Sequence, residues 1–186
     1  MRKLIYDVAA SLDNYIAHSD GSVDGFQWEG NFVDDFLERI KTYGAVLMGR
    51  KTYEWGFAFG LQKGEPAYTQ VNPQLKNYVF SSSISFEPSP LIEVVREHEV
   101  SFVEGLKAQS GNPIWLCGGG ELASKLLEAH LIDELVIKLN PVVLGEGIRL
   151  FGSSQTKVGL RLTDSKRYEN GLMLLNYQIQ YESPVA

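Results

Sequence analysis

The chain has 186 residues, 44% hydrophobic and 22% charged, with a formal net charge of −6 at pH 7. That acidic balance argues against a phosphate-backbone partner such as DNA or RNA, yet leaves room for a small anionic ligand held by local donors. Cys117 is the single cysteine, so no internal disulfide forms, and no stretch reaches the ~18 apolar residues of a membrane span.

A length of this order is expected as one domain over 1–186, able to bury about 70% of its unfolded surface. The opening "MRKLIYDVAAS" is broken by Asp7 and does not read as a signal peptide. The expected compartment is the cytoplasm, and "ESPVA" at 182–186 is expected to be a loose tail.

Taken in order, Leu4–Ala10 is nearly continuously apolar, as in a strand covered on both faces. The turn-rich "SDGSVDGFQWEG" follows, and then "NFVDDFLERIK", where Phe32, Val33, Phe36, Leu37 and Ile40 share one helical face and Asn31 is the expected N-cap. Strands are predicted at 45–49 ("AVLMG"), 77–83 ("NYVFSSS") and 91–95 ("LIEVV"). In "SFVEGLKAQSG", Ser101 and Glu104 have capping-box spacing, with Gly111 as the stop. "IWLC" is the next strand and Glu121–Ala129 the next helix. "DELVIKLNPVVLG" is a strand closed by Pro141, and 160–181 is a hairpin around Asn170-Gly171, the residue pair of a type I′ turn. The pattern predicts an α/β fold: a mixed, mainly parallel sheet with helices on both faces and a C-terminal antiparallel hairpin.

Three stretches end strands with residues suited to phosphate. Gly118, Gly120 and Ala123 match G-x-G-x-x-A between a strand and a helix, where glycine admits a ligand to the main chain and the helix start offers free amides. A full Rossmann fold does not fit, since only β-patterned sequence follows and Lys138 and Asn140 stand where its acidic residue belongs. The plain alternative is a tight turn with Glu121 satisfying the helix dipole. "LMGRKTYE" places Gly49, Arg50, Lys51 and Thr52 at a second strand end, and "VFSSS" places Ser81 and Ser82 at a third. Each has a bland reading, a solvated basic pair or a capped turn. Ligands of open α/β sheets gather outside such ends.

Together these residues resemble the dihydrofolate reductase superfamily, and most closely its riboflavin-biosynthesis reductase branch, which includes the C-terminal domain of bifunctional deaminase–reductases. "AASLDNYIA" is similar to that branch's S-L-D-G-x-I-A opening, with Asn14 for glycine. "LMGRKTYE" is similar to M-G-R-x-T-x-E, and "CGGGELASKLLEAHLIDELVIKLNPVVLGEGIRLF" to the branch's glycine turn and the segment after it. The likeness runs in order over about 150 residues. It implies a dihydrofolate reductase-like three-layer α/β/α fold and an NADPH-dependent reductase acting on a pteridine- or aminopyrimidine-like heterocycle, with a homodimer as the expected assembly. It places the adenosine-phosphate end at Arg50, Lys51, Ser81 and Ser82. The pyrophosphate falls at Thr52 and the turn of Gly118, Gly119, Gly120, Glu121 and Leu122, the nicotinamide at Ala10, Ile16 and Cys117, and Gly49 is a further expected cofactor contact. Asp13, Trp28 and Tyr53 are the expected substrate contacts. Two cations beside the ribose favour NADPH over NADH.

The proton donor is open. Dihydrofolate reductases use a carboxylate on the first helix, where Asp34 and Asp35 are the candidates here, although both project away from the apolar face. The riboflavin branch lacks that carboxylate, which leaves solvent as the alternative source. This chain also departs from that branch in carrying Cys117 where an acidic residue precedes the glycines. Trp28 and Phe26 either wall a flat heterocycle or pack the loop onto the core. His18, His98 and His130 are scattered, so no metal site is expected. Two other readings stay open: a dinucleotide-binding protein without turnover, and a structural or interaction module.

Overall fold

The computed structural model describes residues 1–181, and the expected loose tail at 182–186 lies outside them. The elements are β1 (Leu4–Ala10), β2 (Tyr15–Ala17), α1 (Phe32–Thr42), β3 (Ala45–Gly49), α2 (Arg50–Trp55), β4 (Lys76–Phe80), β5 (Ile92–Val95), α3 (Glu99–Ala108), β6 (Ile114–Gly118), α4 (Gly120–Glu128), β7 (Glu134–Leu139), β8 (Ile148–Arg149), β9 (Gly159–Arg167) and β10 (Met173–Gln180). Eight strands form one sheet in the order β5-β4-β3-β6-β1-β7-β10-β9, and β2 pairs with β8. The six strands from β5 to β7 run parallel, while β10 is antiparallel to both its neighbours. This is the mixed sheet with a C-terminal hairpin that the alternation predicts.

Period-two alternation sorts the core into two layers. Leu4, Tyr6, Ala45, Leu47, Ile114 and Leu116 face α3 and α4, and pack with Val103, Leu106, Leu122, Ala123, Leu126 and Leu127. The residues between them, Ile5, Val46, Met48 and Trp115, face α1 and α2, where Phe36, Leu37, Ile40 and Tyr53 meet them. β6 returns between β1 and β3, so the carboxyl ends of β1, β3 and β6 lie side by side.

Several local signals are overridden. Asn31 makes no side-chain capping bond. The third predicted strand stops at Phe80, and Ser81 turns the chain instead. α3 starts at Glu99 after His98, which sits at φ 58, so Ser101 lies inside the helix and the predicted capping box does not form. α3 thus starts one turn earlier than the pattern predicts, and its first residue, Glu99, pairs there with Lys125 of α4 at 2.8 Å. The hairpin is not type I′ either. Gly171 has φ 84, Asn170 is not left-handed, and Gly171 and Tyr168 close a three-residue loop through bonds to Tyr168 O and Leu172 O. That is a type I turn ending in one left-handed residue.

Candidate active site

Register brings the three phosphate-suited stretches to one rim. Met48 of β3 is level with Gly118 of β6, and Gly49 is level with Phe80 of β4, so Arg50 and Ser81 leave adjacent strands at the same height. A Cβ on Gly118 would meet Thr52 Oγ1 at 3.3 Å and one on Gly49 would meet the Gly119 amide at 3.4 Å. Gly118 has φ +148, where a side chain is strained. α4 begins at Gly120 and its first bond closes onto Gly119 O from Ala123, leaving the amides of Gly120, Glu121 and Leu122 without helical partners.

The donors are ordered outward from this point. Thr52 is half-buried, Arg50 pairs with Glu54 at 2.7 Å, and Lys51 is exposed. Glu121 lies against Gly152 and Ser153, whose hydroxyl is 3.4 Å from the carboxylate, so its charge is engaged by the loop after β8. Leu122 is in the core and offers its amide alone. Ser81 Oγ accepts from the amides of Ser83 and Ile84 and caps its own turn, and Ser82 is exposed beside it. The rim therefore combines amides, a hydroxyl, two cations and a side-chain-free cradle, a donor set that fits a phosphorylated ligand. The depression of about 480 Å³ lined by His18, Ser19, Asp20, Ser22, Asp24 and Glu146 does not, because its three carboxylates repel an anion.

The β1–β2 turn closes the rim on its other side. Asn14 holds φ 67, the left-handed conformation that asparagine tolerates, which accounts for its standing where the resembling reductases have glycine. Ala10 is buried, with its carbonyl accepting from the Asn140 amide at 2.8 Å, and Ile16 packs under the turn. Asp13 is spent on structure, accepting from Ser11 Oγ at 2.7 Å and from the amides of Leu144 and Gly145 at 3.1 and 2.7 Å. The Ser11 hydroxyl and these amides pull its carboxyl down from 3.8 to about 2. Its folded value lies below the unfolded one, so the stability it adds is present above 3.8 and is lost as pH falls toward about 2. Asp13→Asn is thus expected to lower the melting temperature at neutral pH, with the gap from wild type closing through that acid window in thermal scans.

Tyr53, expected at the substrate, is 1% exposed, and its hydroxyl donates to Glu65 O and accepts from the Gly64 amide, so it braces the 62–65 loop. Neither helix acid reaches the rim. Asp34 is exposed, and Asp35 is held by Lys166 at 2.5 Å and by the Tyr168 hydroxyl, both from the hairpin. Phe26 is buried, which settles it as a loop anchor, whereas Trp28 is 51% exposed and lies 5.6 Å from Trp55. Cys117 lies on the α1 side next to the Tyr68 hydroxyl, and burial raises its thiol to about 12, so it stays protonated.

On that same side lies a polar group that local patterning does not single out. Asp7, 4% exposed, receives Arg39 through Nε at 2.9 Å and Nη2 at 3.2 Å, and the Tyr43 hydroxyl at 2.9 Å. Lys138, level with Ala9, donates to Gln27 O at 2.7 Å and sits 4.6 Å from the ring centres of both Trp28 and Phe32. A signal existed for each. Arg39 follows Phe32 by seven and Phe36 by three, within the apolar stripe, and Lys138 shares its face with buried Val136.

Comparison with known proteins identifies the family and the fold. A model of the RibD C-terminal domain matches residues 2–174. Protein YwjB of Bacillus subtilis (strain 168), itself uncharacterized, is 34% identical over 179 residues, covering 93% of this chain and 96% of its own. A putative riboflavin biosynthesis protein from Shewanella sp. PV-4 superposes with a TM-score of 0.78 at 24% identity, over 97% of this chain and 100% of that one. Dihydrofolate reductase from Enterococcus faecalis, complexed with NADP(H), superposes with a TM-score of 0.62 at 16% identity, over 95% and 94%. The fold is that of the dihydrofolate reductases.

Proposed function

We propose that this chain, which belongs to the RibD C-terminal domain family, is an NADPH-dependent reductase that transfers hydride to a flat nitrogen heterocycle of the pteridine or aminopyrimidine kind. The observation that carries the reading is the rim itself, where Gly49, Gly118 and Gly119 present bare backbone beside the Thr52 hydroxyl. The protein described as a putative riboflavin biosynthesis protein and the NADP(H)-bound dihydrofolate reductase, both alike in fold, support it.

The cofactor supplies the hydride, and this chain's residues supply position. Free amides at Gly120, Glu121 and Leu122 and the Thr52 hydroxyl hold the pyrophosphate. Arg50 and Lys51 hold the 2′-phosphate, with Ser81 and Ser82 beside them. Ala10, Ile16 and Cys117 flank the nicotinamide, and Trp28 covers the substrate.

Titration with NADPH, followed by tryptophan fluorescence, tests the cofactor, and absence of binding at millimolar concentration removes the reading. Consumption of NADPH absorbance with a panel of pterins and aminopyrimidines tests turnover. Arg50→Ala is expected to weaken NADPH roughly 10–100-fold, the worth of a charge-assisted bond, and to leave NADH nearly unchanged. The Arg50–Glu54 pair is exposed and worth ~1 kcal/mol at most, so it does not compete with a phosphate. Equal losses for the two nucleotides would contradict the placement of Arg50.

A further inference from the structure

A reductase needs a proton as well as a hydride, and the helix acids are turned elsewhere. The α1 side of the strand ends holds a different candidate. Lys138 sits on β7 opposite Ala9, one residue from Ala10, which the reductase reading puts beside the nicotinamide. Its ammonium has three donors and, among the described residues, one conventional partner, Gln27 O at 2.7 Å. The other two directions lead to the faces of Trp28 and Phe32, each 4.6 Å away, which are weaker acceptors than a carbonyl or a ring nitrogen. The charged groups facing it are Asp7 from β1 and Arg39 from α1, while Leu174 stands opposite on β10. Asp7 is not its counter-ion, because both carboxylate oxygens are taken by Arg39 and Tyr43. One carboxylate and two cations leave this corner with an excess positive charge.

We infer that Lys138 is the proton donor of the reductive step, meeting an acceptor nitrogen or oxygen of a flat heterocycle that enters beside Trp28. The inference rests on the reductase reading and deepens it. As hydride adds to the carbon of a C=N bond, the π pair moves to nitrogen, which takes a proton from the Lys138 ammonium. One N–H bond breaks and one forms, the cofactor leaves as NADP+, and water reprotonates the amine. A carbonyl substrate follows the same balance, with oxygen in place of nitrogen. Burial first, and then the like charge of Arg39, lower the ammonium to about 8, close to the pH at which a general acid works best.

The rival is a brace, in which Lys138 merely ties the 19–30 loop to the sheet through Gln27 O. Trace acetylation across a pH series, read by mass spectrometry of the Lys138 peptide, is expected to show a midpoint of about 8. A midpoint at the ordinary 10.5 overturns the inference. Single-turnover NADPH oxidation by the wild type with a substrate from the panel is expected to fall as pH rises through the same value. Lys138→Met is expected to slow it about 100-fold or more while leaving NADPH affinity within about twofold. Lys138→Arg keeps the charge and the loop contact but does not release a proton at neutral pH, so it is expected to be as slow as Lys138→Met. Turnover restored by arginine, or undiminished in Lys138→Met, makes Lys138 a brace and overturns the assignment alone. A wild type that oxidises NADPH with none of the heterocycles defeats the reductase reading, and the inference with it, before any variant is made.

Discussion

Replacing Asp7 by alanine lowers the unfolding free energy by about 3–5 kcal/mol, measured as a shift in the urea midpoint at unchanged slope. The carboxylate is 4% exposed in a central strand and holds Arg39 with two bonds and Tyr43 with a third. Its main chain is engaged as well, since Asp7 O accepts from Trp115 Nε1 at 2.8 Å. Removing the side chain leaves a guanidinium and a phenol hydroxyl without their acceptor against the sheet, which costs far more than losing an exposed pair. The loss is the penalty of the stranded partner rather than the worth of the pair. Asp7→Leu combined with Arg39→Met is therefore expected to recover most of it, because both charges go together. A single-variant loss under ~1 kcal/mol would show that water reaches Arg39 and that this corner is open rather than packed.

Gly120→Ala is the second large effect, and here two terms of opposite sign compete. Alanine is the better helix former by ~1 kcal/mol, and Gly120 is the first residue of α4. Its Cβ, however, would lie 2.2 Å from Arg149 O and 3.1 Å from the Gly152 amide, both main-chain atoms that cannot swing aside. The clash wins: ~3 kcal/mol is lost, or roughly 6–12 °C in melting temperature for a chain of this size. Because the amides of α4 must shift with it, NADPH binding is expected to weaken in the same variant. Gly105 in α3 is the control. A Cβ there meets nothing within 4 Å, so Gly105→Ala is expected to stabilise by ~0.5–1 kcal/mol. If both variants behaved alike, the close packing of the β8 loop on the glycine turn would be wrong.

Much of the frame was legible in advance, because burial leaves a short-range signature. Leu4–Ala10, Ala45–Gly49 and the strand before the glycines were readable as continuous apolar runs, and the helix after Asn31 from its 3.6-residue stripe. The glycine turn was legible too, yet its two functions were not separable. Gly118 serves the cradle against Thr52, whereas Gly120 is small because the Arg149–Gly152 loop presses on it. Helix ends and turns are less legible in the sequence. The start of α3 falls at Glu99, which meets Lys125 of α4, and the form of the 168–172 loop follows the hairpin register; both involve residues distant in the chain.

The amino-acid order alone determined which segments are strands and helices, which strand ends carry glycine, hydroxyl and cation, and that no fold with further βαβ units follows the fingerprint. All of these are properties of neighbours in the chain, where side-chain periodicity and missing Cβ atoms act at once. Tertiary structure alone decided that Asp13 and Tyr53 are braces, that Asp35 belongs to Lys166 and Tyr168, and that Asp7 and Arg39 meet 32 residues apart. It also placed Lys138 beside Trp28 and Phe32 at the end of β1. The energy of a polar group is set by the partner and the dielectric around it. Both depend on which strands become neighbours, and the order β6-β1-β7 is a property of the whole sheet.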